Sequence, residues 1–273
     1  TRKFINMYLK KDGTAFTDQE GWQTLPFTEE VKDRDPRLAQ SIRTPGYKRI
    51  GAKRVQGPDL GVTITGYQPI KFVQDTTASG GQIDRNDRST CDMPVFRYAE
   101  VLLNYAEAKA ELGSLSPDDL NITINEIRSR VGMPALTMKY LHDKQPDWYL
   151  SSEEYGYPNV TGSNEIVNAI LEIRRERTVE LIQEGFRLQD LYRWKAGYCI
   201  DQAISGMYFP GPGEYKLAGK ETADLILYKA GETKPQAGEG VSVYELGSDI
   251  ILSEGDKGYV YYHKTVENLR TPF

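Results

Sequence analysis

Between Val95 and Leu112 the apolar residues Tyr98, Val101, Leu102, Tyr105, Ala108 and Leu112 recur three and four positions apart, the spacing of one helical face. Gly113 then supplies the residue type that ends helices in a left-handed turn. Ser116-Pro117-Asp118-Asp119 follows, with a hydroxyl for an N-cap, a proline suited to the first helical position, and carboxylates at the positive end of the helix dipole. The row Leu120, Ile124, Ile127, Val131 predicts a second helix closed by Gly132, and so short a connection makes the pair an antiparallel hairpin. A third helix is predicted from about Asn164 to about Glu184, with Ile166, Ile170 and Ile173 in one row and Val167 and Leu171 widening it. After Gly185 a shorter fourth helix carries Phe186, Leu188, Leu191, Tyr192 and Trp194 and closes at Gly197. The expected fold is therefore mainly α, with tetratricopeptide-like helical hairpins at 94–197, although the diagnostic repeat pattern is not cleanly present.

The flanks lack this period. Residues 1–93 are rich in Gly, Pro, Asp and Thr and read as loops and short strands, with extended runs at Val62-Thr63-Ile64-Thr65 and Ile70-Lys71-Phe72-Val73. Gly80-Gly81 through Asp92 reads as an exposed connector. Residues 198–273 read as an irregular, decorated region with strand-like fragments at Leu225-Ile226-Leu227-Tyr228 and Tyr259-Val260-Tyr261-Tyr262.

A chain of 273 residues, 39% apolar, can bury a substantial core. No stretch approaches the roughly 20 apolar residues of a membrane-spanning helix. The opening Thr1-Arg2-Lys3-Phe4 lacks the succession of an export signal, so the protein is either cytosolic or begins further upstream. A net charge of −5 gives no general attraction for phosphate backbones, which excludes nucleic acid as an expected partner. Cys91, Cys199, His142 and His263 are isolated from one another in sequence, short of the clustered ligands of a zinc site. Asp84, Asn86 and Asp87 are interrupted by Arg85 and lack a full calcium loop. No metal and no cofactor are expected.

Two blocks carry a family likeness. Arg97-Tyr98-Ala99-Glu100-Val101-Leu102-Leu103-Asn104-Tyr105-Ala106-Glu107-Ala108, followed by Ile127-Arg128-Ser129-Arg130 and Gly132, resembles the most recognisable helix pair of the SusD/RagB family. Glu172-Ile173-Arg174-Arg175-Glu176-Arg177, then Val179-Glu180-Leu181, Glu184-Gly185-Phe186-Arg187, Asp190-Leu191 and Arg193-Trp194, is similar to its other hallmark run. Arg34-Asp35-Pro36-Arg37-Leu38 and Gly66-Tyr67 with Lys71-Phe72 resemble weaker landmarks, in the family's order. The family's lipidated N-terminal cysteine and first helical repeats have no counterpart before Thr1, nor has its closing Pro-rich segment before Phe273. The resemblance thus implies a C-terminal portion cut at both ends. It also implies a cell-surface lipoprotein of the outer membrane that binds glycans, or sometimes peptides, without chemical change. Such a protein delivers them to a SusC-like TonB-dependent outer-membrane transporter. Alternatives from other classes are a protein-interaction helical scaffold and a glycoside hydrolase.

Arg177, Glu180, Glu184, Arg187, Asp190 and Arg193 recur at helical steps. An arginine beside a carboxylate lowers its pKa, which suits a structural ion pair and not a general acid. No Gly-rich phosphate loop precedes a helix, and no Gly-x-Ser-x-Gly elbow is present. Aromatic residues make up 11% of the chain. Tyr98, Tyr105, Phe186 and Trp194 sit on helical rows and are expected in the core. Trp148-Tyr149 and Tyr155-Gly156-Tyr157 instead fall in the long aperiodic stretch Met138 to Ser163, and Trp22 in the Gly- and Pro-rich opening. Aromatic faces suit the C–H faces of sugar rings. Trp22, Trp148, Tyr149, Tyr155 and Tyr157 are accordingly the candidate ligand-binding residues, against the plainer reading that they anchor their loops to the helical body.

Overall fold

Every residue from Val167 to Glu180 is buried, including Glu172, Arg174, Arg175, Glu176, Arg177 and Glu180, so one helix is enclosed on all sides by the rest of the chain. The computed structural model describes residues 1–76, 89–200, 202 and 204–262. Among these lie ten α-helices and five strands. Three short helices open the chain: α1 (Arg2–Ile5), α2 (Phe27–Glu30) and α3 (Arg37–Ser41). The helical centre comprises α4 (Tyr98–Glu111), α5 (Pro117–Ile122), α6 (Ile124–Arg130), α7 (Met138–Asp143), α8 (Trp148–Ser151), α9 (Asn164–Glu180) and α10 (Arg187–Arg193). The strands are β1 (Ile204–Phe209), β2 (Gly213–Tyr215), β3 (Leu225–Tyr228), β4 (Ser242–Glu245) and β5 (Gly258–Tyr262). β1 pairs antiparallel with β5, while β3 lies between an antiparallel β2 and a parallel β4.

The predicted packing of α4 against α5 and α6 is present, and the fold is mainly α with short strands at its C-terminal side. Ser116 caps α5 in a reciprocal capping box with Asp119, its hydroxyl accepting from the Asp119 N–H at 3.2 Å. The second helix is split into α5 and α6 at Thr123, whose hydroxyl donates to the Asp119 carbonyl. α9 stops at Glu180 and not at Glu184, because Gln183 and Gly185 both take positive φ, 60° and 87°. Leu225–Tyr228 and Gly258–Tyr262 are strands as read from sequence.

Three expectations are corrected. The opening segment holds three short helices, and its runs Val62–Thr65 and Ile70–Val73 form turns: Val62, Ile64 and Val73 are exposed, and Phe72 takes a φ of 67° that no strand tolerates. The stretch from Met138 is not one aperiodic loop, since α7 and α8 interrupt it, each capped by a side chain, Thr137 and Asp147. On α4 the row Tyr98, Val101, Tyr105, Ala108 and Leu112 faces outward; the buried face is Leu102, Leu103, Ala106, Glu107 and Ala110. α4 has apolar residues on both sides, and the position of α9 decides which side is covered. Most of the predicted connector, and the Asp84, Asn86, Asp87 triplet with it, lies outside the described residues, as does His263.

Two apolar clusters flank α9. One joins Leu102, Leu103 and Ala106 of α4 to Ile124, Leu141, Ile170 and Ile173. The other draws on the opening segment, the helical centre and the strands together: Ile5, Tyr8, Phe27, Leu171, Val179, Trp194, Phe209 and Leu225. A helix buried on every side forces its charged residues to find partners inside the protein. They do. Arg37 of α3 reaches Glu176 at 2.9 Å and Glu180 at 3.2 Å, while Arg128 of α6 bonds Glu172 and Glu176. Arg97 binds Glu180 and Glu184, Lys71 binds Glu184, and Arg177 pairs with Asp190 at 2.8 Å. Burial by itself would raise the Glu176 carboxyl, but Arg128 and Arg37 outweigh it and hold its pKa at about 2. Glu184 and Glu107 are likewise held below the usual carboxylate range against their burial, by Arg97 with Lys71 and by Arg193 with Trp194.

Candidate functional site

Asp147 sits where the ionic framework meets the aromatic residues. Its side chain accepts from the N–H groups of Tyr149 and Leu150 at 2.9 and 3.0 Å, starting α8, and also pairs with the Arg175 guanidinium of α9. The central helix thereby fixes where Trp148 and Tyr149 point. The returning loop is equally constrained: a Cβ on Gly156 would lie 1.9 Å from the Leu150 carbonyl oxygen, so only glycine lets the chain pass there.

Four of the five candidate aromatics come together. Tyr149 and Tyr155 stack at 4.6 Å with planes 7° apart. Trp22 meets Tyr149 edge-on at 5.7 Å and lies 6.3 Å from both Trp148 and Tyr155. Trp148 meets Tyr149 edge-on at 5.6 Å. Their access to solvent differs sharply: Trp148 is 46% exposed, Tyr155 half-buried, and Trp22 and Tyr149 only 6% and 1% exposed. Tyr157 does not join them. It is buried against Trp194 at 5.5 Å, and its hydroxyl accepts from Arg187 at 3.0 Å. Among the aromatics expected in the core, Trp194 is buried, donating its indole N–H to Glu107 at 2.7 Å, whereas Tyr98 and Tyr105 are exposed.

Trp22, Tyr149 and Tyr155 line a cleft of about 430 Å³. Polar side chains line it with them, Arg2, Lys3, Asn6, Gln202 and Tyr259 among these. Asn6 donates to the Tyr149 hydroxyl at 3.0 Å, and the Lys3 ammonium lies 5.6 Å over the Tyr155 ring. Burial and the neighbouring Glu154 carboxylate push the Tyr155 phenol up, and burial pushes Tyr149 up, so both keep their protons at neutral pH. Glu154 is the single carboxylate residue lining this cleft among the described residues. A second cavity of about 530 Å³ shares Lys3 and Tyr155 with it but is walled largely by Phe4, Met7, Leu181, Phe186 and Leu191.

Sequence reasoning missed Arg2, Lys3, Asn6 and Gln202, none of which stands in a motif. Asp147 did have a signal, a proline-aspartate pair directly before an aromatic run. No group of three or more His, Cys, Asp or Glu suited to a metal ion occurs among the described residues, and Cys91 and Cys199 are both free thiols. No described helix is long and apolar enough to cross a membrane.

A family model described as the SusD family matches residues 1–245. Among solved structures, a SusD-like carbohydrate binding protein from Bacteroides fragilis is similar at 28% identity and a TM-score of 0.54, over 77% of this chain and 38% of that one. Another, from Bacteroides vulgatus, is 25% identical over 46% of this chain and 20% of that one, with a TM-score of 0.27. This chain thus spans well under half the length of either solved structure. Comparison with curated proteins gave no match.

Proposed function

The chain belongs to the SusD family, and from that premise we propose that it captures glycan at the cell surface, without chemical change, for import through a TonB-dependent outer-membrane transporter. The observation that carries the reading is the cleft that Trp22, Tyr149 and Tyr155 line together with polar side chains, with half-exposed Trp148 beside it. Stacking surfaces next to hydroxyl-binding groups are what a sugar ring needs. The similar Bacteroides fragilis structure is described as carbohydrate binding, which agrees with this reading.

Two features argue for capture over hydrolysis. Glycoside cleavage uses two carboxylates flanking the scissile bond, and this cleft has Glu154 alone among its described lining residues. Glu172, Glu176, Glu180, Glu184 and Asp190 are bonded to arginine or lysine, and Glu176 at about 2 cannot supply a proton at neutral pH. Calorimetry of the chain against a panel of soluble oligosaccharides, with chromatography of the same mixtures, tests the reading. Saturable heat with intact oligosaccharide supports it; shortened products, or no heat with any glycan, overturn it.

The outward row Tyr98, Val101, Tyr105, Ala108 and Leu112 favours a second reading, a helical scaffold that holds another protein segment. Its spacing is that of a helix-packing seam. Binding of a transporter partner that survives loss of all glycan affinity, and is abolished by Val101→Glu, would support this reading over the first.

A further inference from the structure

The polar lining of the aromatic cleft is specific in its chemistry. Three of its residues hold side-chain atoms with no hydrogen-bond partner in the protein: Nε of Arg2, Oδ1 of Asn6 and Oε1 of Gln202. Arg2 and Asn6 are themselves buried, and buried polar atoms are ordinarily paired. The orientation of Gln202 follows from its amide N–H, which donates to the Glu153 carbonyl at 2.9 Å and leaves the oxygen as the free end. The unpaired set is therefore one donor and two acceptors. Sugar hydroxyls, each of which both donates and accepts, answer all three between them. A carboxylate or sulfate only accepts, so it meets the Asn6 and Gln202 oxygens without a bond.

The charges point in the same direction. Arg2 is offset by fully buried Glu30, 3.2 Å away. Lys3 donates its ammonium to the Glu154 main-chain carbonyl at 2.5 Å, and Glu154 lines the same cleft, so Lys3 has a carboxylate for a neighbour. No cation in the cleft is left over to attract an acidic sugar, and Glu154 opposes one. Taking the glycan-capture reading as its basis, we infer that the cleft selects uncharged sugar residues over uronate-bearing or sulfated ones.

Matched oligosaccharide pairs of equal length test this by calorimetry on the full chain at physiological ionic strength: galactan against galacturonan, and mannan against mannuronan. At least one neutral member is expected to bind, with its charged counterpart ten-fold weaker or more. Tyr155→Ala is expected to weaken that binding about 2- to 10-fold at an unchanged melting temperature. Glu154→Gln, at an exposed position, leaves Lys3 without its carboxylate and is expected to narrow the neutral-to-uronate ratio several-fold. A charged member that binds as tightly as its neutral partner, and is weakened in Tyr155→Ala, overturns this inference while leaving glycan capture standing. An unchanged ratio in Glu154→Gln, or neutral binding indifferent to Tyr155→Ala, overturns it as well. No heat with any member of any pair removes the capture reading, and the inference with it.

Discussion

The Arg37 guanidinium, from the opening segment, donates to the Glu176 carboxylate of the central helix at 2.9 Å, across 139 positions of sequence, with both groups buried. Arg37 also bonds Asp35 and Glu180, so a single side chain ties the start of the chain to its axis. Removing one partner of such a pair leaves the other charged and unpaired in the interior. Arg37→Ala is expected to lose roughly 3–5 kcal/mol in urea unfolding. Arg37→Lys should recover only part of that, because an ammonium lacks the planar fork that serves several carboxylates at once. A loss below about 1 kcal/mol for Arg37→Ala would contradict the bracing role.

Acid should unfold the protein through these carboxylates. Glu176, at about 2, and Glu184 and Glu107, also depressed, contribute stability above their unfolded-state pKa near 4.5. That contribution is lost as pH falls through the folded values, because the unfolded chain then binds more protons. Circular dichroism in fixed urea should show stability flat above about pH 5 and falling steadily below about pH 4.5. Glu176→Gln should be less stable at neutral pH and should show a shallower fall. Stability that rises on acidification would refute the assignment.

Burial separates the candidate aromatics by effect. Half-exposed Trp148 and half-buried Tyr155 can lose their rings with little structural cost, and each Ala substitution should weaken glycan binding by about 2- to 10-fold, the range of one aromatic contact. Tyr157, buried against Trp194, should instead lose about 3–5 kcal/mol of stability on truncation, with affinity per folded molecule unchanged. Calorimetry beside thermal melts distinguishes the two patterns, and they must not be interchanged if the cleft is the site.

Gly156 lies between Tyr155 and Tyr157 and passes over the Leu150 carbonyl with no room for a methyl group. Gly156→Ala forces the loop away from α8 and is expected to cost about 1–3 kcal/mol, as overpacking does. Because Tyr155 moves with the loop, glycan affinity should drop along with stability. A variant as stable as the parent would show that the chain has space the structure denies.

The two faces of α4 differ in what a substitution costs. Leu103, fully buried, should lose about 2–5 kcal/mol on conversion to Ala. Tyr98 and Leu112, both exposed, should change stability by less than about 0.5 kcal/mol on conversion to Ser. Equal costs on both faces would mean that the helix is packed the other way round.

The sequence by itself determined the main helical segments of the centre and several of their ends. A capping box at Ser116, glycines at 113, 132 and 185 with positive φ, and an apolar period of three and four are local signals, and local hydrogen bonding obeys them. It also pointed to structural ion pairs for the arginine and glutamate rows, but their main partners, Arg37, Arg97 and Arg128, come from other segments. Only the tertiary structure decided which face of α4 is covered, since Tyr98 and Leu103 are equally apolar in sequence and differ only in whether α9 lies over them. Only it brought Arg2, Asn6 and Gln202 to the same cleft as Trp22 and Tyr155, and moved Tyr157 out of it. A binding site is a convergence of distant segments, and no spacing along the chain records which loops will meet across a core.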